Sequence, residues 1–361
     1  MDKKLLDLYT DYLIVSNSYT TATGLSNVLD KSISHDKITR FLSKEVYDSK
    51  TLWSLVKTAV REIEPKNDCK TKGFIIFDDT IEEKQYTDEN DIICYHYDHC
   101  SNRVIKGVNI LSCIYTVEGI SIPVSFEIVK KIPEIDKKTG ETKRKSKKTK
   151  NELMREMITI CVANKILFSY VLADNWFCSK ENMIHIKQDL GKDFIMAVKS
   201  NRLVALSKED KENGKFQNIG SLCLEQNAVK EVYFKDVDFP MLILKQVFKN
   251  KDGSEGVLYL VSSDTNLDYD QMTRFYKKRW NIEVYHKSIK SNCSLCKSPT
   301  QTVKTQGNHF FTSIFSFFKL ESLKIKSNIS HFALKSKIYI KSLKSGYEEI
   351  LNLKANYAYS L

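Results

Sequence analysis

Four polar residues with a fixed spacing offer the clearest chemistry in the sequence. In the stretch Tyr276-Lys-Lys-Arg279-Trp-Asn-Ile-Glu283-Val-Tyr-His-Lys-Ser-Ile-Lys290, Tyr276, Arg279, Glu283 and Lys290 stand at offsets 0, 3, 7 and 14. At about 100° per residue, a helix gathers them within an arc of about 60°. Phe275, Ile282 and Ile289 recur every seven residues on a neighbouring face and read as the stripe that packs on a core. One carboxylate is thus set among a phenol, a guanidinium and an ammonium. Arg binds a phosphate bidentately, Lys as a point charge and Tyr through its hydroxyl. The carboxylate would repel that phosphate unless a cation lay between them, which is the logic of metal-assisted phosphoryl transfer. The plainer reading is a solvated basic helix with one ion pair, since charged helix faces are common.

Two further acidic sites weigh against the plainer reading. Phe74-Ile-Ile-Phe-Asp78-Asp79-Thr80 is an apolar run that stops at two carboxylates, the pattern of a buried strand with acid at its C-terminal end. Strand side chains alternate, so only one of the two aspartates can share a site with Glu283. Ser169-Tyr-Val-Leu-Ala173 is a second buried strand, and it too runs into acid, at Asp174-Asn-Trp-Phe177.

The elements that must position these residues follow from the pattern. Residues 1–66 read as an N-terminal helical domain. Thr20–Leu29 and Ser34–Leu42 form two short helices, and Ser34 is the N-cap of the second. His35, Lys37, Arg40 and Lys44 give that helix a polar, partly basic face, which suits a helix-turn-helix; a small helical bundle is the other reading. Residues 65–73 form a linker. Arg103–Val117 and Gly119–Val129 read as an antiparallel strand pair hinged at Glu118-Gly119. Helices at Lys150–Lys165 and Ser179–Leu190 flank the second acidic strand, and a further strand covers Asp193–Val198. Three strands, helix, strand, helix, strand is the order of an RNase H-like α/β fold, placed at 70–199. Residues 200–265 alternate apolar and polar positions and read as a β-rich insertion, while 266–325 close the core with helices. Residues 326–361 form a helical C-terminal tail.

Composition adds a polyanionic partner. The chain has 361 residues, 42% hydrophobic and 11% aromatic, enough for a sizeable core, and its 56 Lys+Arg against 45 Asp+Glu give a net charge of +11. Lys130–Lys150 holds ten basic and three acidic residues, and within it Lys143, Arg144, Lys145, Lys147 and Lys148 are candidate phosphate contacts. Nine scattered cysteines fit reduced cytosolic thiols, and Met1-Asp-Lys-Lys-Leu-Leu turns polar too soon for a signal peptide. Phe310–Leu320 is too short to span a membrane. Cys293-Ser-Leu-Cys296 is at most half a zinc site, and the cluster Cys94, His96, Asp98, His99, Cys100 reads as a strand edge or site rim before it reads as a metal centre. With no Gly-rich phosphate loop, ATP is not expected.

Tyr276, Arg279, Glu283 and Lys290 match the Y-(2)-R-(3)-E-(6)-K signature of DDE transposases of the insertion-sequence-four family, which the chain resembles over roughly 70–320. Asp79 before Thr80, and Asp174 with Phe177, match that family's first and second acidic motifs, 95 and then 109 residues apart along the chain (174 − 79 and 283 − 174). The resemblance implies a bacterial cut-and-paste transposase that cleaves DNA at terminal inverted repeats and joins the ends to target DNA. Asp79, Asp174 and Glu283 would be its metal-binding catalytic triad, with two Mg²⁺ (or Mn²⁺) ions about 4 Å apart. Tyr276, Arg279 and Lys290 would contact phosphates and bases near the cut end, and Trp280 would lie near a flipped base. The resemblance further implies a homodimer in the synaptic complex and a cytoplasmic, nucleoid-associated location. The alternatives are an RNase H-like nuclease without strand transfer and a catalytically inactive DNA-binding relative.

Overall fold

The computed structural model describes residues 1–65, 72–98, 101–135, 140–225, 227–249 and 252–356. Helices α1 (Lys3–Val15), α2 (Ala22–Val28), α3 (His35–Lys44) and α4 (Ser49–Ile63) come first. Strands β1 (Phe74–Glu83), β2 (Cys94–Asp98), β3 (Arg103–Val117) and β4 (Ile120–Ile128) follow, then the short strands β5 (Ile132–Ile135) and β6 (Thr142–Lys145). Helix α5 (Lys150–Ala163), strand β7 (Tyr170–Ala173), helix α6 (Lys180–Ile184) and strand β8 (Asp193–Val198) come next. After them stand β9 (Leu203–Ala205), α7 (Lys208–Glu212), β10 (Gln217–Asn218), β11 (Lys230–Phe234), β12 (Met241–Lys249) and β13 (Glu255–Ser262). The chain ends in helices α8 (Tyr269–Tyr276), α9 (Trp280–Asn292), α10 (Val303–Ser327) and α11 (His331–Asn356). These elements fall into two compact units, one of residues 53–283 and the other of 1–52 with 284–361.

The first unit is built on one large mixed sheet. Its strands run β10-β9-β11-β12-β13-β8-β7-β1-β3-β2, with β4 also on β3. The centre is β1, antiparallel to β3 on one side and parallel to β7 on the other. Phe74, Ile75, Ile76 and Phe77 are all buried because both faces of this strand are covered, hence the unbroken apolar run. Glu118 and Gly119 both take positive φ, 48° and 84°, which fits the tight turn that returns β3 into β4. At Gly107 a Cβ would collide with the Glu82 carbonyl, so β3 needs glycine where it runs beside the end of β1.

Three sequence expectations change. The strand carrying Asp78 and Asp79 does not end at them: pairing with β3 continues from Asp78↔Ser112 to Glu83↔Gly107. What ends is β7, whose pairing with β1 stops at Ile76↔Leu172. Both aspartates therefore lie in mid-strand beside an opened edge. Second, the β-rich stretch 200–265 extends the same sheet, with β13 pairing β8 antiparallel. Third, the single helix expected to carry Tyr276 through Lys290 is broken by a 3₁₀ turn, Lys277–Arg279, between α8 and α9. The basic segment holds the β5–β6 ladder.

The second unit is helical. Asn308, buried in α10, donates to the Leu42 and Glu45 carbonyls at 2.8 and 2.6 Å and accepts from the Tyr47 amide at 2.9 Å, which satisfies the end of α3. His309 bonds the Tyr9 hydroxyl at 3.1 Å, so the polar residues of this Phe-rich helix tie α1, α3 and α10 together. In α3, Ser34 caps the Lys37 amide, Ile38, Phe41 and Leu42 are buried, and His35, Lys37, Arg40 and Lys44 are exposed. Among the described residues no helix is long and apolar enough to cross a membrane.

Candidate active site

The candidate site lies where β7 stops and β1 continues. Alternation along β1 sends Phe74, Ile76 and Asp78 to one face and Ile75, Phe77 and Asp79 to the other. Phe275 of α8 packs its ring 5.4 Å from Phe74 and 5.3 Å from Tyr170, so α8 covers the first face. Cys161 of α5 meets Cys113 at 4.0 Å; Cys113 pairs with Phe77, so α5 covers the second. Asp78 therefore faces the helices that carry Tyr276, Arg279 and Glu283, and Asp79 faces α5. Asp78 thus lies on the side of Arg279 and Glu283, while Asp79, expected there from the Asp-Thr pair, lies beside Lys150.

Arg279 joins the carboxylates on this face. Its guanidinium lies 2.6 Å from Glu283 and 3.9 Å from Asp78, and 5.8 Å from the Tyr276 ring centre. Burial, reinforced by the charges of Asp174 and Asp79, pushes the Asp78 carboxyl up to about 7, with Arg279 opposing. Asp174 follows β7 directly and accepts the Trp176 amide at 2.9 Å. Its carboxyl is also raised, by burial first. Phe177 is fully buried and anchors this turn, which explains the Asp-x-x-Phe spacing. Burial raises the Tyr276 phenol well above its ordinary range, so it serves as a neutral hydrogen-bonding group.

On the α5 face, Asp79 has its own partners. Lys150 donates to one oxygen at 2.8 Å and Asn109 to the other at 2.7 Å. His96, also on this side of the sheet, is held down to about 4 by burial and by Lys131 and Lys150, so it is neutral at pH 7. Lys150 and Asn109 escaped the sequence reading. A signal for Lys150 existed: Thr149 and Glu152 form a reciprocal capping box that fixes Lys150 as the first residue of α5.

The remaining candidates are dispersed. Trp280 begins α9 and is 61% exposed. Lys290 lies further along α9, in the part assigned to the helical unit. In the basic segment Lys143 pairs with Glu141, Arg144 with Asp91 and the Lys131 carbonyl, and Lys148 with Glu156. Lys147 and Lys148 line a cavity of about 450 Å³ with Lys130, Glu127 and Glu156. Lys145 ends β6, opposite Ile132 of β5. Among the described residues no three His, Cys, Asp or Glu converge tightly enough to hold a metal ion as they stand. Cys94 and Cys293 are buried thiols, and His99 and Cys100 lie outside the described residues.

Two family models match the chain. One, described as a transposase DDE domain, covers residues 141–316 and so includes Asp174 and Glu283. The other, described as a DDE superfamily endonuclease, covers residues 2–214 and includes Asp78, Asp79 and Asp174. No curated protein matches the chain. With more than half of its length covered by the endonuclease model, the chain belongs to the DDE superfamily of endonucleases.

Proposed function

We propose that this protein is a cut-and-paste DNA transposase whose working carboxylates are Asp78, Asp174 and Glu283. The observation that carries the reading is the gathering of Asp78 and Glu283 around Arg279 on one face of the sheet, with Asp174 close enough to raise Asp78. The strand order β4-β3-β1-β7-β8, three antiparallel strands and then two parallel ones, supports an RNase H-like core. The donor set fits divalent Mg²⁺ or Mn²⁺, which prefer hard carboxylate oxygens. A buried carboxyl raised by its like-charged neighbours is the environment a cation relieves.

Asp78, Asp174 and Glu283 would hold the ions, and to do so Arg279 must release at least one of its two carboxylates. When bound, such ions supply charge stabilisation and an activated water for phosphodiester cleavage. The protein's own groups do the positioning. Arg279, freed from Glu283, turns to a phosphate oxygen, and the neutral Tyr276 hydroxyl donates to another. Lys290 adds charge further along the strand, Trp280 stacks on a base, and the basic segment contacts duplex phosphates. The chain acts as a homodimer on two terminal inverted repeats and works in the bacterial cytoplasm at the nucleoid.

Excision in cells tests this. A marker is placed between the DNA ends that flank the gene, the protein is supplied in trans, and repaired donor junctions are scored. Wild type should excise, while Asp78→Asn and Glu283→Gln should not. Excision by all three would remove these carboxylates from the chemistry. Cleaved ends without joined product in vitro would favour the nuclease reading.

A further inference from the structure

The α5 side of β1 carries a second arrangement that the carboxylate chemistry does not use. The Lys150 ammonium, paired with Asp79 at 2.8 Å, lies 5.0 Å from the centre of the Trp176 ring. Each member is fixed. Thr149 and Glu152 cap α5 and hold the Lys150 backbone. Asn109 holds the second Asp79 oxygen at 2.7 Å. The Trp176 amide donates to Asp174 at 2.9 Å, two residues from a working carboxylate. The indole is nevertheless 43% exposed, beside the fully buried Phe177.

A salt bridge that merely docked α5 is hard to justify here. Met154, Met157, Ile158 and Cys161 already bury that helix against the sheet. The pair is largely withdrawn from solvent, its side chains 22% and 17% exposed, and the desolvation of its two charges offsets most of its Coulombic gain. A part-exposed indole with an ammonium over its ring, by contrast, offers what one nucleotide needs: aromatic surface for the base and a cation for its phosphate. Asp79 would repel a phosphate on its own. With Lys150 between them, the carboxylate instead fixes the ammonium, whose remaining protons are available to donate.

Resting on the reading of this site as one that cuts DNA, we propose that Trp176 and Lys150 form a nucleotide clamp on the α5 side of the carboxylates. The clamp takes an unpaired nucleotide next to the scissile phosphate, base on Trp176 and phosphate on Lys150. Asp79 and Asn109 are positioning residues for the ammonium. The preference is for single-stranded DNA, because a base inside a duplex cannot offer its face to the indole.

The test uses the full chain without divalent cations and a 20-nucleotide oligothymidylate carrying 5-iodouracil. Irradiation should crosslink the oligonucleotide to the peptide containing Trp176. Trp176→Ala should weaken binding about tenfold, and Trp176→Phe should recover most of the loss. Lys150→Gln should lower the slope of log affinity against log salt by about 0.7, and Lys150→Arg should restore it. A purely structural pair would lower the melting temperature and leave that slope unchanged. Crosslinking only elsewhere, with Trp176→Ala binding like wild type, overturns the clamp and leaves the transposase reading standing. Failure of the wild-type chain to bind this strand or duplex DNA carrying the flanking ends overturns both.

Discussion

Asp78 and Asp79 are consecutive in sequence, part-buried in the same strand, and chemically unlike. Asp78 looks towards α8 and α9, where its nearest cation, Arg279 at 3.9 Å, is shared with Glu283. Burial first, and then the like charges of Asp174 and Asp79, raise its carboxyl to about 7, with Arg279 only partly opposing them. Asp79 looks towards α5 and has a lysine ammonium and a side-chain amide within hydrogen-bonding distance. One face is short of positive charge and suited to take up a cation; the other has its balance built in and suits a fixed contact. Burial alone does not separate them. The difference comes from what each face packs against.

Substituting each aspartate in turn separates the two faces most sharply. Asp78→Asn should lower end cleavage by about 10³-fold, near 4 kcal/mol of transition-state stabilisation. Asp79→Asn should stay within about tenfold of wild type, because it disturbs the placement of Lys150 and a through-space charge on Asp78 and Asp174, and leaves the carboxylates around Arg279 in place. Cleavage of a supercoiled donor plasmid carrying the flanking ends measures both. Equal losses would return Asp79 to the place that the Asp-Thr motif suggests. Arg279→Gln comes next, with an expected loss of about 10²-fold in cleavage, since a phosphate contact and the neutralisation of two carboxylates disappear together.

The charge difference should also appear in stability. The Asp78 carboxyl is raised on folding, so its contribution is fully present below about pH 4 and is lost as pH rises through about 7. In a chelating buffer at pH 8, Asp78→Asn should therefore stabilise the chain by about 1–2 kcal/mol relative to wild type, and at pH 5 much less. Added Mg²⁺ should raise the melting temperature of wild type more at pH 8 than at pH 6, and that of Asp78→Asn hardly at all. A wild-type profile flat in pH, with the same Mg²⁺ response in the variant, would remove Asp78 from the cation site.

How far the sequence could be read depends on whether a feature is local. The apolar runs of β1 and β7, the Ser34 cap and the Glu118-Gly119 turn are local patterns, and they were legible as such. So was the alternation that allows one aspartate per face. Which aspartate lies on Glu283's face is set by long-range packing: Phe275 on Phe74 and Tyr170, Cys161 on Cys113. The Asp-Thr pair carries no information about that packing. The continuation of β1 past its aspartates was hidden for a similar reason. Asp, Asp, Thr and Glu are poor core residues, and only the ladder to β3 keeps them in strand. The 3₁₀ turn within the signature helix leaves no mark in residue periodicity. It still leaves Arg279 against both the Tyr276 ring and Glu283, although the helix is not continuous.

The smallest effect concerns Asn109. Its amide holds one Asp79 oxygen while Lys150 holds the other, and it is 3% exposed. Asn109→Ala removes a hydrogen bond to a charged acceptor but leaves the ion pair, so the expected cost is about 1–2 kcal/mol in urea unfolding. Cleavage should change less than threefold, because nothing on the α8 face has moved. If Asn109→Ala instead abolished cleavage as fully as Asp78→Asn, the two faces of β1 would be one functional unit. The balance that Asn109 and Lys150 supply to Asp79 would then belong to the carboxylate site itself, through the electrostatic influence that Asp79 already exerts on Asp78 and Asp174.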